Sequence, residues 1–185
     1  MNDSIRLAAA PLERVAMLIA PDLKAHVLSQ LLAEPRFRTR ILGLAAERLG
    51  RVSDAGHKAG QVLAMTSEDL QALAWRAGAV WHGRAVARII DGESRRRLAD
   101  HMGLDTLRLA LEGLAVVPVE ERVDLSVAAI IDAMPAMGAA CLAAWSVVQP
   151  LSVARRLDLI RPNAAPTAAH LAWGPPLIEW VIDRT

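Results

Sequence analysis

At 185 residues and 54% hydrophobic content the chain carries enough apolar material for one substantial core, which excludes bulk disorder. Aromatics are only 3%, five Trp and one Phe with no Tyr, so that core must be built from Ala, Leu, Val and Ile. Residues of that kind let helices approach closely, and they predict an all-α fold: a compact bundle of roughly eight to ten short helices with no sheet. The 21 cations nearly cancel the 20 acids, so no global field draws the protein to nucleic acid or anionic lipid.

Two short helices are predicted first, Pro11–Ile19 and Pro21–Ala33, because proline is tolerated in a first turn where its missing amide would be unbonded anyway. A third runs from Pro35 to Leu49 and stops at Gly50, and the Ser, Asp and Gly content of Arg51–Gly60 reads as a loop. The expected organisation is a single helical domain, 1–185, with one internal hinge, at 50–62. The clearest helix signal is Ser67–His82, where Leu70, Leu73, Ala74, Ala77, Val80 and Trp81 recur at helical spacing. Short segments follow at Arg84–Ile90, Glu93–Met102 and Leu104–Leu114, with Gly103 at a position that suits the end of a helix. Pro118 and the stretch Glu120 to Asp124 form a break, and Asp124 is placed to cap the apolar helix that follows. Pro135 is expected to kink or divide that helix, and Gln149-Pro150 to end it. Leu151–Ile160 is the next helix, Pro162 to Pro166 a turn-rich joint, and Pro176–Asp183 the last helix, presenting Leu177, Trp180 and Val181 together.

Cys141 is the one cysteine, lies in an apolar run, and suits a buried thiol in a reducing cytoplasm. No export signal is expected at the acidic start, and Asp132 and Pro135 argue against membrane insertion of 125–148. The five histidines are scattered, with no HExxH or CxxC, so no metal is expected. Neither GxxxxGK[ST] nor GxGxxG is present, so no nucleotide or other cofactor is expected, and Ser53, Ser94, Ser126 and Ser152 sit where helix caps explain them. No catalytic residue is assigned. Arg36, Arg38, Arg40 and the run Arg95 to Arg97 make no single-faced stripe, which disfavours nucleic acid.

In Trp75–Leu111 the sequence resembles the SctK/YscK family of type III secretion accessory proteins. The resemblance is carried by small and apolar residues leading to His82, the pattern Arg84-x-x-x-Arg88-Ile89, and the stretch around Met102-Gly103-Leu104-Asp105. Arg155-Arg156-Leu157-Asp158-Leu159 followed by Pro162 adds to it. The resemblance implies a non-enzymatic cytoplasmic adaptor of the injectisome sorting platform, linking the inner-membrane ring protein to the pod protein that leads to the ATPase. It would be held at the membrane only through those partners.

Two sets of residues are candidates for partner binding. Arg84 and Arg88 lie one helical turn apart, where two guanidinium groups could grip carboxylates. Glu120, Glu121 and Asp124 belong to a stretch, Glu112 to Asp132, with five acids and one Arg that could dock a basic partner. The protein itself is expected to be a monomer or weak dimer. The alternatives are a helical ligand-binding or regulatory module with an apolar pocket among Trp75, Trp81 and Trp145, and a small helical enzyme whose site is not local in sequence.

Overall fold

A computed structural model describes residues 12–49, 56–117 and 125–185. Among them are eleven α-helices, one 3-10 turn and no strand. The fold is all-α, as composition predicts. The helices are α1 (Leu12–Ile19), α2 (Ala25–Ala33), α3 (Pro35–Leu49), α4 (His57–Ala64), α5 (Ser67–Trp81), α6 (Gly83–Arg88), α7 (Gly92–Met102), α8 (Leu104–Glu112), α9 (Val127–Val147), α10 (Leu151–Ile160) and α11 (Ala168–Ile182). The 3-10 turn, Gly113–Ala115, follows α8.

The chain divides into two compact units. One takes residues up to Ser67 together with Gln149–Ile160, so α10 completes it from far along the sequence. Its core brings together Val15, Ala45, Leu49 and Leu159, with Leu18, Ile41, Leu42 and Ile160 packed against them. Helix α3 contributes little else to the interior: Arg36, Phe37, Arg38 and Arg40 are exposed.

The other unit comprises Glu68–Val148 and Arg161–Thr185. Here α5 and α9 approach until their backbones touch. A Cβ on Gly138 would overlap the carbonyl of Ala74, and one on Gly78 would overlap that of Met134. Pairing 74 with 138 and 78 with 134 runs the two helices in opposite directions. At Gly174 of α11 a Cβ would stand 3.1 Å from the Cα of Cys141 and from the Cβ of Ala144, so the same economy of side chain seats α11 on α9. A cluster of Ala79, Val86, Leu98, Met102, Ala110, Ile130 and Met134 fills the space between α5 to α9.

Several helix ends differ from expectation, each for a physical reason. The loop expected over Arg51–Gly60 is helical from His57 onwards, because Ala59, Val62 and Leu63 bury a face of α4; residues 50–55 lie outside the described residues. Pro21 lies in a turn, and α2 begins at Ala25. Ser126 caps α9, its Oγ accepting from the Ala129 amide at 3.2 Å. Asp124 is outside the described residues. Pro135 does not divide α9, which continues for 21 residues; nine consecutive residues, 138–146, are buried, and that burial outweighs one lost amide bond. The last helix starts eight residues before Pro176. Thr167 and His170 form a reciprocal cap at Ala168, and Pro175 and Pro176 are carried inside the helix. Gly103, at φ 78°, joins α7 to α8 in a conformation that glycine adopts without strain. Asp91 caps α7 by accepting from the Ser94 amide at 2.8 Å, and that bond holds its carboxyl below the usual carboxylate range.

Candidate functional site

The two arginines chosen from sequence do different work. Gly83 opens α6 where a Cβ would overlap the Ala110 carbonyl, so α6 lies directly on the end of α8. From there the half-buried Arg84 reaches across 30 residues of sequence and donates from Nη2 to the Leu114 carbonyl at 3.1 Å. This bond clasps α6 to the 3-10 turn, where Gly113 in turn leaves room for Val80 and the Trp180 ring. Arg88 is exposed. Glu120, Glu121 and Asp124 all lie outside the described residues.

Side chains with reactive potential are mostly engaged in holding the fold. Cys141 is fully buried on α9, and burial pushes its thiol up to about 12, which keeps it protonated at neutral pH. Trp81 is buried and its ring stacks on His170, with centroids 4.6 Å apart and planes 21° from parallel. His170 accepts from the Thr167 amide at Nδ1, 3.2 Å, and burial lowers its pKa. Trp145 is 1% exposed, and Trp75 packs on the cluster around Ala79. Of the three tryptophans suggested as a pocket, Trp81 and Trp145 are thus buried and Trp75 is partly buried against the core. No group of His, Cys, Asp or Glu suited to a metal ion occurs among the described residues. In the Arg95 to Arg97 run, Arg95 donates to the Ile89 carbonyl at 2.8 Å and Arg97 pairs with Glu93 at 2.6 Å.

Helix α9 is long and apolar enough to cross a membrane, but half of its most apolar stretch is buried inside the fold. Its packing against α5 and α11 is that of a core helix.

One surface feature was not singled out from sequence. An open groove of ≈ 400 Å³ is lined by Arg76 of α5, Asp105, Arg108, Leu109 and Glu112 of α8, and Arg184 with Thr185 after α11. Arg108 and Glu112 pair at 2.8 Å along α8. The Arg184 guanidinium lies 4.0 Å from the centre of the Trp180 ring and donates to the Trp180 carbonyl at 3.2 Å, which fixes its position at the rim. Leu104 and Leu111 extend the outer face of α8 beyond Arg108 and are 74% and 42% exposed. The face of α8 is legible as a pattern, since Leu104, Arg108 and Leu111 recur at i, i+4 and i+7 while Thr106, Leu109 and Ala110 are buried. Arg76 and Arg184 carry no such signal, being 108 positions apart and joined only by folding.

A family model described as YOP proteins translocation protein K (YscK) matches residues 7–182 of the chain, which takes in both units. Comparison with curated proteins finds no match, and comparison with solved structures finds none either.

Proposed function

The chain belongs to the YscK family of type III secretion proteins, and from that premise we propose that it is a non-enzymatic cytoplasmic adaptor of the sorting platform. In this reading it links the inner-membrane ring protein to the pod protein that leads to the ATPase, and is held at the membrane only through these partners. The observation that carries the proposal is the extent of the family match, residues 7–182, rather than one local motif.

The chemistry of the described residues supports a binding role. The thiol is protonated and enclosed, Ser126 caps a helix, and His170 is spent on a cap and an aromatic stack. Charge and apolar side chains stand instead on an open surface, beside α8, where they can meet another protein. The test is reconstitution from purified components: the full chain, the cytoplasmic part of the ring protein and the pod protein of the same bacterium. A three-component complex that does not form when this chain is left out is the expected result. Binding to neither protein, together with unimpaired secretion in a strain lacking the gene, would overturn the adaptor assignment.

A further inference from the structure

The groove between α5, α8 and the C-terminal turn holds one cation, Arg76, that the fold does not pair. Arg76 is half-buried yet makes no hydrogen bond or ion pair among the described residues. Of the three guanidinium groups that line the groove, Arg108 pairs with Glu112 and Arg184 lies on the Trp180 ring and donates to its carbonyl, which leaves Arg76. Partial burial without a counter-charge costs free energy, and a carboxylate brought by a partner would recover it with short, charge-assisted hydrogen bonds. Beside this charge Leu104 and Leu111 are exposed on the same helix, seven residues apart and so on one stripe. Apolar residues at that spacing, bordered by charge, match the seam of a second amphipathic helix.

We propose that this surface docks an amphipathic helix of a protein partner, with its apolar face on Leu104 and Leu111 and an acidic side chain entering the groove toward Arg76 and Arg184. Asp105, a carboxylate in the wall, disfavours a continuous polyanion, which favours an isolated acid on a peptide over a phosphate backbone. The inference rests on the adaptor reading and names the chemistry of one partner contact within it.

The test is site-specific photo-crosslinking of the full chain in secreting cells. Benzoylphenylalanine replaces Leu104 or Leu111 in turn, and exposed Arg38 or Arg96 as comparison positions. Positions 104 and 111 are expected to crosslink to a secretion-apparatus protein, at a segment with Asp or Glu one helical turn from apolar residues. Arg76→Glu should cut that crosslink by about tenfold, the scale of a lost part-buried charge pair, and replacing the partner's acid with Arg should restore it. Arg76→Gln, expected to weaken the crosslink in the same direction, serves if Arg76→Glu does not reach the wild-type melting temperature. Crosslinks that persist within about twofold in both variants would overturn the proposal. So would crosslinks to a segment without acids or to nucleic acid. Apparatus crosslinks from positions 38 or 96 with none from 104 or 111 would remove the groove while leaving the adaptor reading intact. No apparatus crosslink from any position would remove both.

Discussion

In the unit built from residues 68–148 and 161–185, helices meet through their backbones; in the unit built from residues up to 67 with 149–160, they meet through aliphatic side chains. The first arrangement places Gly78 against Met134 and Gly138 against Ala74, with no layer of side chains to adjust between them. The second rests on Val15, Leu49 and Leu159, whose rotamers can shift to absorb small changes. Close-packed glycine contacts confer precision and little tolerance, whereas an aliphatic layer tolerates change at the cost of definition. The groove belongs to the precise unit, which is where an unpaired Arg76 can be held in a fixed place.

The largest expected effect follows from breaking the glycine contact. Gly138→Leu forces a side chain into the α5 backbone and should destabilise that unit by at least about 3 kcal/mol. Amide hydrogen exchange should show protection lost across α5 and α9. Full protection there would mean that the two backbones are not in contact.

In the other unit, Leu159→Ala removes a side chain that is 6% exposed and should cost about 2–4 kcal/mol, read as a shift in the denaturation midpoint. Protection should fall in α1 and α3 although they precede position 159 by more than a hundred residues. A loss confined to α10 would contradict that core.

The two arginines of α6 separate at a smaller scale. Arg84→Gln loses the clasp on the Leu114 carbonyl and should cost about 1–2 kcal/mol, while Arg88→Gln should stay within about 0.5 kcal/mol of wild type. Thermal melts of the two single variants decide this, and equal melting temperatures would deny Arg84 its structural role.

A more modest effect is expected from pH. Burial holds His170 neutral and lowers its pKa beneath the ordinary 6.5, so below that pH the unfolded chain takes up a proton more readily than the folded one. Stability therefore falls as pH drops from 7.5 to 5.5. His170→Gln keeps a residue able to complete the Thr167 cap without titrating, and its melting temperature should depend less on pH over that range. An unchanged slope would assign the acid sensitivity elsewhere.

The smallest effect has the opposite sign. Gly43 lies within α3, and a Cβ there would meet nothing within 4 Å, so Gly43→Ala should stabilise the first unit by about 0.5–1 kcal/mol. Destabilisation would show that α3 is more closely packed on that side than its exposed residues indicate.

The sequence by itself determined the helical class, the order of most helices and the breaks at Gly103 and Gln149-Pro150, because these follow from composition, spacing and residues that cap or end a helix locally. It also carried the family resemblance, in residues 75–111, which the match over residues 7–182 extends to nearly the whole chain. What escaped it depended on contacts distant in sequence. Pro135 reads as a helix break and Pro176 as a helix start because the local cost of proline is visible, whereas the burial of residues 138–146 and the seat of Gly174 on Cys141 that offset it are not. Arg84 and Arg88 read alike because their spacing is identical, and only the Leu114 carbonyl, 30 residues away, makes one a clasp and leaves the other in solvent. The groove is the clearest case. Its charges come from α5, α8 and the turn after α11, so tertiary structure alone could place Arg76, Arg108 and Arg184 around one opening.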